Sequence, residues 1–228
     1  VRADEWVAVY RACQLFAFLP YQLLMSVTSV LFPLVARAHA EKDAAAVARY
    51  VGRGLRIGAL AGGAMVSVVV ALPGPCLALA YGPVVAQRGA ETLRVLAAGQ
   101  GAFALFGMAS SVLVSVGRER WAVGLSFGAT VAVAAGCAGF VPGAAFGGPQ
   151  LLTTAVATSV ALGGGLLAAG ALVRRAAGAF VPLRTLLTIG LAGAATAALG
   201  AALTPRGVLP TTACALLLAA TYAGLLVI

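Results

Sequence analysis

The sequence has few charged residues, and this scarcity excludes most classes of soluble protein. Only 9% of its 228 residues are charged, whereas 62% are hydrophobic. An average soluble domain carries roughly a quarter charged residues and under half apolar ones. Fifteen basic and six acidic side chains cannot cover a soluble globule of this size. A soluble enzyme, a disordered chain and a disulfide-stapled secreted module are therefore excluded, and the composition predicts an integral membrane protein.

Groups that could perform covalent or metal chemistry are equally scarce. The sequence has a single histidine, His39, and its four cysteines lie one by one in apolar stretches without metal-ligand or redox spacing. It also has no Walker A loop, no H-E-x-x-H motif and no nucleophile elbow. We therefore expect no enzymatic activity, no metal and no cofactor.

The few acidic residues all lie in predicted loops or at the edges of apolar stretches. They are Asp4, Glu5, Glu41, Asp43, Glu91 and Glu119. A proton relay or a carboxylate cation site in a secondary pump would need acidic groups at mid-membrane depth. The sequence of this segment therefore offers no such site.

Seven stretches are apolar over the length of about 20 residues that a spanning helix needs. They are Trp6–Val35, Ile57–Tyr81, Thr92–Gly117, Trp121–Val141, Leu151–Val173, Thr185–Leu203 and Thr211–Ile228. Runs of this length are helical, because a helix satisfies its own backbone in hydrocarbon. The sequence predicts one all-α transmembrane domain over residues 1–228, with about seven spanning helices.

The basic residues predict the orientation of these helices. Ten of them lie in the first, third and fifth loops, and three lie in the N-terminal tail and the remaining loops. By the positive-inside rule, the N-terminus of the segment is outside and the C-terminus is cytoplasmic. Because the basic residues form short clusters between apolar runs, we expect no nucleic-acid partner. The first residue is Val1 and no signal peptide follows it, so we expect preceding helices of a longer chain.

The first cytoplasmic loop, residues 36–56, has a helical pattern of its own. Val47, Val51 and Leu55 recur on one face, while Arg49 and Arg53 lie on another. This pattern suits a helix on the cytoplasmic membrane surface with its arginines toward phosphate or anionic headgroups. A solvated connector helix explains the pattern equally well.

Polar side chains follow one face of the first predicted span. At about 100° per residue the row comprises Arg11, Gln14, Gln22, Ser26 and Ser29. Lipid does not tolerate such a face, so we expect it to line a water-filled cavity or a helix interface. Alternatively, Arg11 reaches the outer headgroups and the glutamines join neighbouring helices. Pro20 lies in the same span and permits a kink.

Small residues follow one face of the third predicted span. Gln100, Ala104, Gly107, Ser111 and Ser115 are spaced by three or four positions. Together with the GxxxG pairs Gly58/Gly62 and Gly124/Gly128, this row predicts close packing of helices. Arg94, near the outer end of the third span, either joins Arg11 in a basic vestibule or reaches the headgroups. The candidate substrate-binding residues are Arg11, Gln14, Gln22, Ser29 and Arg94.

The order of helices and loops resembles a known family. "VYRACQLFAFLPYQLLMSVTSVLFPLVARAHAEKDAAAVARYVGRGLR", followed by "ALPGPCLALAYG", "LRVLAAG" and "VLVSVGRERWA", is similar to the opening of the C-terminal lobe of oligosaccharide-lipid flippases. These flippases belong to the multidrug/oligosaccharidyl-lipid/polysaccharide (MOP) exporter superfamily. The resemblance covers residues 1–125 and is weaker beyond them.

The resemblance implies two lobes in an inverted V around a central cavity, with this chain supplying most of the second lobe. It implies transport of lipid-linked oligosaccharide of the polyprenyl pyrophosphate type across the bacterial inner membrane. The expected partners are this lipid, the membrane lipids and a missing N-terminal lobe of the same polypeptide. Arg11 matches an arginine that contributes to a cationic cavity in the lipid II branch.

Two departures favour the polysaccharide branch of this superfamily over the lipid II branch. The lipid II branch usually has an aspartate immediately before the matching arginine, whereas Tyr10 precedes Arg11 here. A cation site in the C-terminal lobe of that branch uses carboxylates, and this segment has none at depth. A lipid II flippase and a multidrug/cation antiporter of the same superfamily remain the alternatives.

Overall fold

The computed structural model describes residues 3–202 and 208–227, and this part of the chain is a bundle of nine α-helices. The helices are Ala3–Ala17 (α1), Leu19–Ala40 (α2), Ala44–Ala71 (α3), Pro73–Tyr81 (α4), Pro83–Ser115 (α5), Glu119–Phe140 (α6), Gly148–Ala177 (α7), Leu183–Ala202 (α8) and Val208–Val227 (α9). Five segments are long and apolar enough to cross a membrane: α1 with α2, α3, α5, α6 and α7. The shorter apolar helices α8 and α9 occupy the sixth and seventh predicted spans. The predicted all-α membrane fold is confirmed.

The first predicted span is interrupted where its proline predicts a kink. The ring nitrogen of Pro20 carries no hydrogen, so it cannot donate to the carbonyl of Phe16 as the helical ladder requires. Instead, the N–H groups of Tyr21 and Gln22 both donate to the carbonyl of Phe18, over 3.1 and 3.4 Å. Phe18 therefore separates α1 from α2.

The predicted first cytoplasmic loop is far shorter than the sequence suggests. Only residues 41–43 separate α2 from α3, and residues 44–56 are the first half of α3. The side chain of Asp43 caps this helix by accepting from the N–H of Ala46 over 2.8 Å. Val51 and Leu55 are buried in the core. The region is helical as predicted, but a separate surface or connector helix is wrong, because its buried face continues into the spanning part of α3.

Prolines and a glycine determine the boundary between α3 and α4 and the boundary between α4 and α5. The second predicted span ends early at Leu72, because Pro73 begins the short helix α4. Gly82, with a φ of 86°, separates α4 from α5, which begins at Pro83 rather than at the predicted Thr92. Most of the predicted loop 82–91 is therefore helical.

The helix α5 lies at the centre of the bundle and packs against α1, α2, α3, α4, α6 and α7. Small residues allow close contacts between helices, as predicted for Gly107 and for the pair Gly58/Gly62. A Cβ at Gly107 would lie 3.2 Å from the ring of Tyr21, and one at Gly58 would lie 2.5 Å from the sulfur of Met108. The second GxxxG prediction is wrong, because a Cβ at Gly124 or Gly128 would meet nothing within 4 Å.

Candidate functional site: a polar notch between three helices

A notch of about 370 Å³ opens between α1, α5 and α7. Its lining combines charged, polar, aromatic and aliphatic side chains: Arg11, Gln14, Leu15, Phe18, Gln100, Phe103, Thr158 and Leu162. Two of these residues, Arg11 and Gln14, belong to the polar row predicted on the first span. The structure therefore brings part of that row together with polar residues of two further helices.

Arg11 carries the only charge among the lining residues of the notch. Its side chain is exposed, and its Nη1 donates to Oε1 of Gln14 over 3.4 Å, which is long for a hydrogen bond. The two ion pairs of the described residues join Arg37 to Glu41 and Arg88 to Glu5, so neither neutralises Arg11. The guanidinium is thus available to an anionic ligand.

Gln100 is a half-buried residue in the lining of the notch. Its Oε1 has no hydrogen-bond partner among the described residues, although the atom is buried. A buried acceptor without a partner costs free energy, and such groups in native structures call for a functional or structural reason. Sequence reasoning placed Gln100 in a packing row and missed it as a site residue. The available signal was that Gln100 is the one large polar residue in a row of small ones.

A close crossing of α5 and α7 places Gln100 beside Thr158. A Cβ at Gly99 would lie 2.7 Å from the Cα of Ser159, so the two backbones are in contact at these positions. The hydroxyl of Ser159 also donates to the carbonyl of Val95 over 3.1 Å. The neighbouring residues Gln100 and Thr158 consequently open into the same notch. Thr158 was likewise absent from the predicted site.

Two phenylalanines of the notch lining, Phe18 and Phe103, belong to a row of stacked aromatic rings. The ring centroids of Phe18 and Tyr21 lie 4.6 Å apart, and those of Tyr21 and Phe103 lie 5.2 Å apart. Phe106 continues the row at 6.2 Å from Phe103. These ring contacts pack the junction between α1 and α2 against α5. The row joins residues distant in sequence, so helical periodicity could not predict it.

The remaining residues of the predicted polar row lie outside the notch. Gln22 and Ser29 are exposed on α2, and the hydroxyl of Ser29 donates to the carbonyl of Ser26 over 2.8 Å. Ser26 lines a different, mainly apolar cavity between α2 and α3, where Tyr50 and Arg53 also lie. A role for Gln22 and Ser29 in substrate binding stays a prediction.

Arg94 is directed to α3 rather than to the notch. Its side chain is exposed, and its Nε donates to the carbonyl of Val70 over 3.2 Å, in the last turn of α3. A cation is favourable there, because the end of a helix carries partial negative charge. Arg94 and Arg11 therefore have different polar partners and do not line a common described cavity. The role of Arg94 in substrate binding also stays a prediction.

The outer surfaces of the bundle differ in polarity. None of the spanning window of α6 is buried within the bundle, and its exposed side chains include Val123, Phe127 and Val131. Such a surface suits lipid. The exposed surface of α1 and α2 also has apolar side chains, such as Leu15 and Leu23, but Arg11 and Gln22 lie among them. Hydrocarbon would penalise these groups, so this surface requires water or a polar partner.

These helices form a bundle in which five segments are long and apolar enough to cross a membrane, with a polar notch on one side and an apolar surface on another. A family model described as MatE matches residues 3–138. This match covers more than half of the chain, and the chain therefore belongs to the MatE family, within the MOP superfamily to which the sequence motifs pointed.

A solved structure described as "Lipid II flippase MurJ, inward closed conformation" has a similar fold. The TM-score is 0.76 at 14% sequence identity, and the match covers 97% of this chain and 47% of that flippase. The chain thus spans about half the length of the flippase that it matches. At this identity the likeness establishes the fold alone. No curated protein sequence matches the chain.

Proposed function

We propose that the chain forms most of the C-terminal lobe of a flippase for lipid-linked oligosaccharide. The complete transporter moves a polyprenyl pyrophosphate carrying sugars across the bacterial inner membrane for cell-envelope polysaccharide synthesis. Its two lobes alternate access to the substrate between the two sides of the membrane. An N-terminal lobe of the same polypeptide supplies the opposite wall of the central cavity.

The observation that carries this proposal is the exposed, unneutralised guanidinium of Arg11 within a span of the bundle. A lipid pyrophosphate must take at least two negative charges past hydrocarbon, which is prohibitive without compensation. An arginine at the edge of a hydrated cavity supplies part of that compensation, since its planar fork matches phosphate oxygens. Gln14 and Gln100 beside it supply neutral polar groups for sugars.

The proposed topology places the N-terminus of the segment outside and its C-terminus in the cytoplasm. In this orientation Arg11 lies toward the outer end of its span, and the clusters around Arg49 and Arg174 lie on the cytoplasmic side. The exposed surface of α1 and α2 then faces the N-terminal lobe, whereas α6 faces the membrane lipids. The distribution of basic residues and the contrast in surface polarity support this arrangement.

A lipid II flippase is the second candidate, because the solved structure of similar fold is described as one. The lipid II branch usually has an aspartate immediately before the matching arginine. This chain has Tyr10 at that position, which argues against a lipid II flippase. A multidrug/cation antiporter would need carboxylates within the membrane. All six acidic residues of the chain are exposed, and Glu91 is the only one that lies in a long helix beyond its first turn, before the predicted start of the span at Thr92.

The test of the proposed function is Arg11→Ala in the full-length protein. We expect this variant to abolish surface polysaccharide while insertion into the membrane stays normal. Arg11→Lys should retain part of the activity, since lysine keeps the charge but not the bidentate fork. The matched control is Arg49→Ala, which removes an exposed arginine outside the notch. Polymer at the wild-type level in Arg11→Ala would remove Arg11 from the site, and loss of drug resistance instead of polymer would favour the antiporter.

A further inference from the structure

A groove of about 720 Å³ opens between α5, α7 and α8 and shares no residue with the notch. Apart from Arg174 its lining is apolar, with Leu105 of α5, Leu167 and Ala171 of α7 and Leu186 of α8 among its walls. Only residues 178–182 join α7 to α8, and a linker this short normally makes two helices antiparallel neighbours. Here α8 packs mainly against α3 and α9 instead of α7. The groove is therefore a gap between two consecutive helices.

The linker between α7 and α8 is part of the core, so the gap is a fixed feature of the fold. Gly178, with a φ of 70°, reverses the chain, and its N–H donates to the carbonyl of Arg174 over 3.1 Å. The ring of Phe180 then lies against α7, where a Cβ at Gly170 would be 2.7 Å from it. Val181 is buried in the same core cluster. These contacts fix the end of the groove at the linker.

The surface around the groove is apolar and exposed. Leu167 of α7 is 75% exposed and Leu191 of α8 is 73% exposed, and Leu187 lies between them in the same way. In a chain that spans the membrane, such a surface faces hydrocarbon. A gap with apolar walls does not hold ordered water, and an empty one loses the packing contacts of its lining. An acyl chain of a membrane lipid fills the gap without either cost.

Arg174 gives this groove a charged end. Its side chain is exposed, and it has no ion pair or hydrogen bond within the part of the chain that the structure describes. Arg175 and Arg184 lie close to it in the sequence, and no acidic residue follows Glu119. From Leu166 to Arg174, α7 rises by about 12 Å, which is close to the roughly 15 Å of one leaflet. The groove therefore pairs a chain-length apolar gap with an unneutralised cation at one end.

We propose that this groove binds an anionic phospholipid, with one acyl chain in the gap between α7 and α8 and the phosphate at Arg174. The bound lipid packs against both helices and thereby joins α8 to α7, which the polypeptide itself leaves apart. A net negative headgroup is favoured over a zwitterionic one, because the three arginines of this region have no acidic neighbour in the sequence. The site follows from the membrane-spanning bundle and does not depend on the cargo of the transporter.

The test compares two glycerophospholipids on the full-length protein. The probes are dioleoyl phosphatidylglycerol, which is anionic, and dioleoyl phosphatidylethanolamine, which is zwitterionic. Native mass spectrometry of the delipidated protein in detergent gives their dissociation constants. Arg174→Gln removes the charge at the groove, and the matched control is Arg175→Gln, which removes the neighbouring exposed charge outside the lining. Ala171→Trp blocks the groove, and the matched control is Ala194→Trp at an exposed alanine of α8 outside the lining.

We expect the wild type to bind phosphatidylglycerol about fivefold more tightly than phosphatidylethanolamine, as one basic residue near an anionic lipid allows. Arg174→Gln should bring the two affinities within about twofold, whereas Arg175→Gln should keep most of the preference. Ala171→Trp should weaken both lipids about fivefold or more, and Ala194→Trp should leave both affinities unchanged. Phosphatidylglycerol should also raise the thermal unfolding midpoint of the wild type but not of Ala171→Trp, because the groove exists only in the folded state. Ala171→Leu provides a second, smaller blocking variant.

Several results would overturn this assignment. Equal affinity of the wild type for both lipids would remove the headgroup contact, and equal loss of preference in Arg174→Gln and Arg175→Gln would indicate a diffuse positive surface instead of a site. Unchanged binding in both blocking variants would place the lipid outside the groove. Tighter binding of undecaprenyl phosphate than of phosphatidylglycerol, abolished by Ala171→Trp, would assign the groove to an isoprenoid tail. None of these results contradicts the flippase proposal, which polymer export tests separately.

Discussion

Arg11 of α1 and Gln100 of α5 line one notch, although the whole of α2, α3 and α4 lies between them in the chain. The guanidinium of Arg11 has only a 3.4 Å contact with Gln14, and the carboxamide oxygen of Gln100 has no partner among the described residues. A donor-rich cation and a half-buried glutamine thus line the same notch, although the glutamine oxygen itself is closed to solvent. Their proximity makes this notch the most polar site that the structure describes within the apolar bundle.

Water should reach the exposed surface of α1 and α2 in the full-length protein. We expect single cysteines at positions 14, 22 and 29, in a background without the four native cysteines, to react with a membrane-impermeant maleimide. Cysteines at positions 123, 127 and 131 of α6 should react at least tenfold more slowly, because that surface suits lipid. Labelling rates of intact cells and of detergent-opened vesicles provide the measurement.

Equal and slow labelling of both sets would contradict this prediction. Positions 14, 22 and 29 would then lie in acyl chains, and α1 and α2 could not form a wall of an aqueous cavity. Labelling after denaturation serves as the control, because it shows that every cysteine is present and reactive.

Pro20→Ala should raise stability and lower transport. Pro20 stands in the first turn of α2, where proline is tolerated, but alanine restores the N–H that a helix continuous from α1 into α2 requires. The break at Phe18 would close, and Phe18 would leave its stacking contact with Tyr21 at the edge of the notch. We expect a higher thermal unfolding midpoint in detergent, normal membrane insertion and at least a tenfold loss of polymer export.

The matched control for this variant is Pro33→Ala, which removes the other proline of α2 from an exposed position away from the notch. Pro33→Ala should also raise the thermal unfolding midpoint, but it should not cause a comparable loss of polymer export. If Pro20→Ala exported polymer like the wild type, the break between α1 and α2 would have no part in forming the site.

The sequence predicts this fold well where a single physical signal acts. Apolar runs of spanning length locate the membrane helices, and Pro20 locates the break in the first of them. Such signals do not locate the ends of the helices. For example, α5 begins at Pro83 rather than at the predicted Thr92, because a helix tolerates a charged turn such as that around Arg88. Likewise, nothing local distinguishes Gly124, which faces open space, from Gly58, which packs on Met108.

The candidate site could be predicted only in part, for a related reason. Arg11 and Gln14 share a face of one helix, so periodicity brings them together. Gln100 and Thr158 join them through the packing of α5 on α7, which depends on tertiary contacts that periodicity does not encode. The same limit explains why Arg94 was grouped with Arg11, although the structure pairs it with the carbonyl of Val70.

The contact of Gly99 with α7 should be essential to the notch. A Cβ at Gly99 would lie 2.7 Å from the Cα of Ser159, and a backbone atom cannot move aside as a flexible side chain can. Gly99→Ala should therefore separate α5 from α7 and destabilise the protein by roughly 1–3 kcal/mol, as overpacking does. Gly163→Ala on α7 is the control, because a Cβ there meets nothing within 4 Å and alanine favours the helix by about 0.5–1 kcal/mol. Thermal unfolding in detergent measures both effects, and a Gly99→Ala midpoint at or above that of the wild type would show that the two helices can separate without cost.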